Sequence, residues 1–119
     1  MDLSKAFDTI PHALLLAKMR AYGLGDHSCK LLHDYLTNRT QRVKIGDSYS
    51  KWKEIKRGVP QGSFLGPMLF NVFINDLFFH INSVKLNAYA DDEQLYDSDI
   101  NPAELEKRLL HQLNTANAW

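Results

Sequence analysis

The 119-residue sequence predicts an α+β fold. Three observations carry this. Apolar residues recur at helical spacing in four stretches, 11–22, 26–37, 67–80 and 102–119. Other stretches read as strands, 41–45 and less cleanly 52–56 by alternation, and 84–90 and 93–96. No strand–helix–strand rhythm links them, so a parallel, doubly wound sheet is not indicated.

In chain order, Pro11 suits a first helical turn, Leu15, Met19 and Tyr22 share a face, and Gly23 supplies a stop. Asp26 is placed to cap a second helix to about Thr37, with Leu31, Leu32, Tyr35 and Leu36 as its apolar residues. Gln41-Arg42-Val43-Lys44-Ile45 alternates, and 52–56 does so less cleanly. The polar Gly46, Asp47 and Ser48 between them predict a hairpin. Gly58, Pro60 and Gly62 break either period, so 57–62 is a loop. Pro67 opens an apolar helix through about His80, interrupted by Asn71 and Asn75 at i, i+4 spacing. Residues 84–90 and 93–96 read as strands. Asn101-Pro102-Ala103-Glu104 has the form of a capping box with proline at the first helical position. Leu105, Leu109 and Leu113 then make the stripe of the last helix.

At 45% hydrophobic and 24% charged, the chain has the composition of one ordinary globular domain or part of one. Lys+Arg and Asp+Glu number 14 each, so the net charge is zero. That excludes a uniformly basic nucleic-acid binder and a uniformly acidic tail. The charge is segregated, however. From Arg39 to Arg57 seven basic residues stand against Asp47 and Glu54, and from Asp91 to Glu106 seven acids stand with no Lys or Arg. Asp97, Asp99, Glu104 and Glu106 are expected to form a solvated face. The single Cys29 cannot form an intrachain disulfide and is expected to pack, and no Cys/His cluster has zinc spacing. The five histidines form no metalloprotease pattern and are expected to be solvated or structural. The N-terminus lacks the basic region and apolar run of a signal peptide. Residues 64–81 are the most membrane-like run, but Asn71, Asn75, Asp76 and His80 would be costly in hydrocarbon. An intracellular site, nucleus or cytoplasm, is expected, with no secretion and no membrane partner.

Asp91 and Asp92 lie between apolar arms, which suggests a hairpin with carboxylates at its tip. Turn chemistry alone accounts for acids there. Adjacent carboxylates also repel, and a divalent cation would relieve this. Mg²⁺ prefers one or two carboxylates plus substrate phosphates over a full protein cage. Asp2 heads a second block, Asp2-Leu3-Ser4-Lys5-Ala6-Phe7-Asp8. A third is Gly58-Val59-Pro60-Gln61-Gly62-Ser63, which serves equally as a helix-entry turn. Its glycines let a ligand approach the backbone, and Gln61 presents both a donor and an acceptor.

Together these blocks resemble reverse transcriptases. Residues 2–8 look like the first palm motif, 57–77 like the second, and Tyr89-Ala90-Asp91-Asp92 like the third, in matching order. The middle block, running from Gly58 through Ser63, Gly66, Pro67 and Phe70 to Ile74-Asn75-Asp76-Leu77, is similar to the non-LTR (LINE-type) retrotransposon branch. Group II intron relatives usually have a second Gly at the place of Ser63 and Ser-Pro at that of Gly66-Pro67. The resemblance implies a right-hand polymerase palm, a small antiparallel sheet packed on helices, as a partial reverse transcriptase domain over 1–119 without full fingers or thumb. It implies transfer of a nucleotide from a dNTP to the 3′-hydroxyl of a DNA primer on an RNA template. Two Mg²⁺ ions, with Mn²⁺ as an alternative, would be held by the catalytic Asp2, Asp91 and Asp92. Phe7 matches an aromatic gate against a nucleotide 2′-hydroxyl, Gln61 and Gly62 lie along the incoming nucleotide, and Tyr89 lies near the primer end. Asn71 and Asn75 receive no role. Separately, Arg42, Lys44, Lys51 and Lys53 are expected to meet the phosphate backbone of a template–primer duplex.

Departures from the family pattern shape the expected activity. Only Met1 precedes Asp2 where the family has an apolar strand, no fingers region precedes it, and no Lys-bearing segment or thumb follows Trp119. Glu93 adds a third adjacent negative charge where relatives carry a small polar residue, and Phe64 stands where Val is frequent. The isolated chain is expected to be inactive. The alternatives are a non-catalytic retrotransposon remnant that at most binds nucleic acid, and an unrelated helical interaction module whose acids are turn residues.

Overall fold

The computed structural model describes residues 5–89 and 92–119, which form two compact units, 5–72 and 73–119. In the first, α1 (Ala6–Thr9) is a single turn, too short to leave a periodic signal in the sequence. Lys5, in left-handed conformation at φ 55°, starts it. The Lys5 carbonyl accepts from the Asp8 and Thr9 amides at 2.8 and 3.1 Å. Helix α2 (His12–Ala21) has Pro11 as its N-cap and buries His12, Leu15, Leu16 and Met19. It closes as a Schellman motif: the Leu24 amide donates to the Met19 carbonyl at 3.0 Å and the Gly23 amide to that of Arg20 at 2.9 Å. Gly23, at φ 94°, is therefore the stop its position predicts. Tyr22 is the C-cap and is exposed rather than on the buried face.

Helix α3 (Asp26–Leu36) packs on α2. Its N-cap is Gly25, and Asp26 is its first residue, where a carboxylate still suits the helix dipole. Cys29 and Leu36 are buried on one stripe with Leu32 between them, which leaves Leu31 outside. The expected hairpin follows in nested form. Strand β1 (Thr40–Gln41) pairs with β4 (Lys53–Glu54), and β2 (Lys44–Ile45) with β3 (Ser48–Tyr49), both antiparallel. Ile45 opposes Ser48, so the turn is only Gly46 and Asp47. A φ of 58° at Gly46, the first central residue, is what a II′ turn requires. Every side chain from 40 to 54 is exposed.

Helix α4 (Leu65–Ile74) starts two residues before Pro67, whose ring sits harmlessly in the first turn. The Ser63 hydroxyl fixes the entry, accepting from the Gly66 amide at 3.0 Å and donating to the Pro60 carbonyl at 2.7 Å. The expected helix to His80 is two pieces: Asn75 and Asp76 form a turn before α5 (Leu77–His80). Two successive Asn/Asp side chains compete with helical backbone bonds and favour such a break.

In the second unit, β5 (Lys85–Tyr89) pairs antiparallel with β6 (Asp92–Tyr96), Tyr89 opposite Asp92 and Lys85 opposite Tyr96. The pleat exposes Lys85, Asn87, Tyr89, Asp92, Gln94 and Tyr96, while Leu86, Ala88, Glu93 and Leu95 are wholly or partly buried. Helix α6 (Pro102–Ala118) packs on α5 and β6, with Gln112 and Ala116 its most buried residues. The Asn101 side chain caps it, accepting from the Ala103 amide at 3.1 Å. The Asn101 amide donates to Asp99 at 2.9 Å, so Asp99 takes the part a capping box gives to Glu104. No helix among the described residues is long and apolar enough to cross a membrane.

Candidate active site

The 57–63 loop is fastened to the residues around α1. Pro11 and Arg57 form an antiparallel bridge. The Gly58 amide donates to the Ile10 carbonyl and the Val59 amide to the Phe7 carbonyl, each at 2.8 Å. Buried His12 places Nε2 2.8 Å from the Gly58 carbonyl, so this histidine is structural. Gly58 has φ 83°, and a Cβ there would lie 2.7 to 2.8 Å from the backbone of Asp8. Only glycine fits. Pro60 to Ser63 then makes a tight turn, the Ser63 amide reaching the Pro60 carbonyl at 3.3 Å, with Gly62 at φ 74° as a type II turn demands. Gln61 occupies the exposed corner, and its Nε2 donates to Asp8 Oδ1 at 2.9 Å. The Phe7 ring stacks on Phe70 of α4 at a centroid separation of 4.7 Å. Phe7, Gln61 and Gly62, distant in sequence, are thus brought onto adjoining backbone through Asp8 and Gly58.

In the β5–β6 hairpin, Tyr89 and Asp92 oppose each other on the exposed face. Asp2 and Asp91 lie outside the described residues. Among the described residues no three His, Cys, Asp or Glu side chains gather as a metal site. Glu93 corrects an expectation. It is 1% exposed on the opposite face from Asp92, so its carboxyl does not stand beside that of Asp92, and burial pushes it above the usual range. Phe64, by contrast, is 90% exposed.

The basic stretch carries aromatic rings among its cations. The Arg42 guanidinium lies 4.0 Å over the Tyr49 ring and 4.5 Å over that of Trp52. Lys44 Nζ lies 5.4 Å from the Tyr49 ring, and Lys51 and Lys53 are exposed. Stacking of this kind holds long cationic side chains in place without neutralising them.

The family model for reverse transcriptase (RNA-dependent DNA polymerase) matches residues 1–119. The chain belongs to the reverse transcriptase family. It is 34% identical, over all of its length, to the "Probable RNA-directed DNA polymerase from transposon BS" of Drosophila melanogaster. It is 33% identical, over 74% of its length, to the "Retrovirus-related Pol polyprotein from type-1 retrotransposable element R2" of Popillia japonica. It is 34% identical, over 77% of its length, to the "RNA-directed DNA polymerase from mobile element jockey" of Drosophila melanogaster. The chain spans 14% of the length of each of the first two relatives and 11% of the third.

Three residues of this chain of the reverse transcriptase family have contacts or burial that the sequence did not signal. Asp8 holds Gln61 across 53 positions, a contact with no local signature. His12 was legible as a helix residue, but its bond to Gly58 depends on the loop returning to it. Arg39, at the base of the hairpin, has Nη1 sealed from solvent with no hydrogen-bond acceptor among the described residues.

Proposed function

We propose that this chain carries the palm segment of an RNA-directed DNA polymerase, adding nucleotides from dNTPs to a primer 3′-hydroxyl on an RNA template. The observation that most supports this is the fastening of Phe7 and Asp8 to the Gly58–Gln61 loop. It joins the aromatic ring and the amide that family likeness associates with the nucleotide. In this reading Asp2, Asp91 and Asp92 hold two Mg²⁺ ions. The donors are all carboxylate oxygens, which suit a hard divalent ion, and Asp92 presents an exposed carboxylate at one end of β6. When bound, such ions supply activation of the hydroxyl and charge stabilisation at the leaving pyrophosphate.

The chain's own residues do the positioning. Phe7, backed by Phe70, obstructs a 2′-hydroxyl sterically. Gln61 lies along the nucleotide, and Asp8 restricts its rotation so that less freedom is lost on binding. Gly62 leaves the corner of the turn open, nothing standing within 4 Å of where a Cβ would be. Tyr89 supports the primer end, and Arg42, Lys44, Lys51 and Lys53 meet backbone phosphates.

Two measurements test the reading. Mn²⁺ binding followed by electron paramagnetic resonance should be lost in Asp2→Ala and in Asp91→Ala. Primer extension on RNA by the transposon BS polymerase carrying this segment in place of its own should be abolished by Asp91→Asn. Undiminished Mn²⁺ binding in both alanine variants, or extension that survives Asp91→Asn, would overturn it.

A further inference from the structure

We infer that the cleft at the base of the 40–54 hairpin is a phosphate-binding site whose principal ligands are Arg39 and Arg57. The cleft has a volume of about 700 Å³, and its charged lining is Lys5, Asp8, Arg39, Glu54, Lys56 and Arg57. Four cations therefore meet two carboxylates, and both carboxylates are engaged. Asp8 accepts from Gln61 at 2.9 Å, and Glu54 pairs with Lys56 at 3.7 Å. Among the described residues neither arginine has a carboxylate partner.

Arg39 carries the second observation. Its Nη1 is sealed from solvent without an acceptor among the described residues, while the rest of the residue helps form the cleft wall. A guanidinium stays charged and cannot shed the unmet donor by deprotonation. An anion against its open edge compensates the charge, and the planar fork matches two oxygens of a phosphate. Both arginines stand on anchored backbone. The Arg39 carbonyl accepts from the Ile55 amide at 2.8 Å, and Arg57 is bridged to Pro11.

The site rests on and deepens the polymerase reading, since its phosphate belongs either to a nucleic-acid strand or to the terminal phosphates of a nucleotide. Calorimetric titration in low salt with EDTA tests it without turnover or metal, so its failure is distinguishable from failure of that reading. The probes are inorganic pyrophosphate and a 12-nucleotide oligothymidylate lacking a 5′-phosphate. Arg39→Gln and Arg57→Gln should each weaken binding about tenfold, whereas Lys30→Gln, an equal charge change on exposed α3, should leave it unchanged. Loss with the oligonucleotide alone assigns a strand phosphodiester, and loss with pyrophosphate also assigns a terminal phosphate. Equal loss in all three variants, or no binding of either probe, would overturn the inference. Should Arg39→Gln not fold, pyrophosphate titration of the wild-type chain should shift the backbone amides of Gln41, Ile55 and Val59. Shifts confined to 85–96 would equally overturn it.

Discussion

Gly58 and Gly62 look alike in the sequence, two loop glycines four positions apart, yet the fold treats them differently. Both have positive φ, but only at Gly58 would a Cβ strike backbone, that of Asp8 at 2.7 Å. Gly62→Ala should therefore cost only the left-handed conformation, about 1 kcal/mol. Gly58→Ala should cost about 3 kcal/mol or more, because the loop must lift off α1. Urea unfolding of the two variants side by side checks this, and equal losses would contradict it. Glu93 makes a second residue-scale case. Burial raises its pKa above the ordinary 4.5, so the fold favours the neutral acid. Its contribution is fully present below about pH 4.5 and is lost as pH rises through the raised value. Glu93→Gln should flatten the decline of the unfolding midpoint between acidic and neutral pH, and an unaltered slope would refute the assignment. That 93–96 forms a strand was legible in the sequence, but which face is buried was not. That depends on what packs against the hairpin, and α6 packs against β6.

At the scale of elements, the connection from β6 to α6 is tied by one side chain. Arg108 reaches back one residue after the acidic run and the adjoining Lys107, donating to Asp97 from Nη2 at 2.8 Å and to Asp99 from Nη1 at 2.7 Å. The two aspartates expected to be solvated are instead paired. The Ser98 amide and then Arg108 hold the Asp97 carboxyl below its ordinary 3.8, and the Asn101 amide and then Arg108 do the same for Asp99. A depressed carboxylate pKa contributes stability above the ordinary value and loses it as pH falls through the folded one. Wild-type stability should thus drop below about pH 4, and Arg108→Gln should lower the neutral-pH midpoint while making that acid drop smaller. Circular dichroism at 222 nm against urea, repeated from pH 2 to 7, reads both effects. The longer helices and the β5–β6 hairpin were legible because periodicity and caps such as Gly23 and Asn101 are local, whereas the single turn of α1 was not. The nested register of 40–54, the break at Asn75-Asp76 and the Arg108 clamp were not, because each is settled by competition among alternatives that are close in local energy. The blocks around Phe7 and Gln61 stood out as motifs, whereas the Asp8–Gln61 bond that joins them required the fold.

Across the whole molecule, the zero net charge resolves at the boundary between the two units. Residues 5–72 hold eleven Lys and Arg against five acids, while 73–119 hold three against eight. A neutral chain divided in this way keeps little long-range attraction for a polyanion, because distant charges are screened within about 8 to 10 Å at ordinary ionic strength. In the proposed reading, affinity for nucleic acid then comes from contacts close to the phosphates, and the exposed hairpin presents cations for them. Arg42 and Lys44 are held near aromatic rings, while Lys51 and Lys53 are simply exposed. Each phosphate contact releases counterions and contributes about 0.7 to 0.9 to the slope of log affinity against log salt. Replacing Lys44, Lys51 and Lys53 together by Gln should lower that slope by about 2 to 3 on an RNA–DNA template–primer duplex. The same replacements should leave the pyrophosphate affinity of the Arg39 cleft unchanged, since none of the three lines it. Fluorescence anisotropy across a salt series separates the two surfaces. A slope that stays at the wild-type value while affinity falls uniformly would place these lysines off the phosphate path, and the hairpin's role would then be to hold structure rather than nucleic acid.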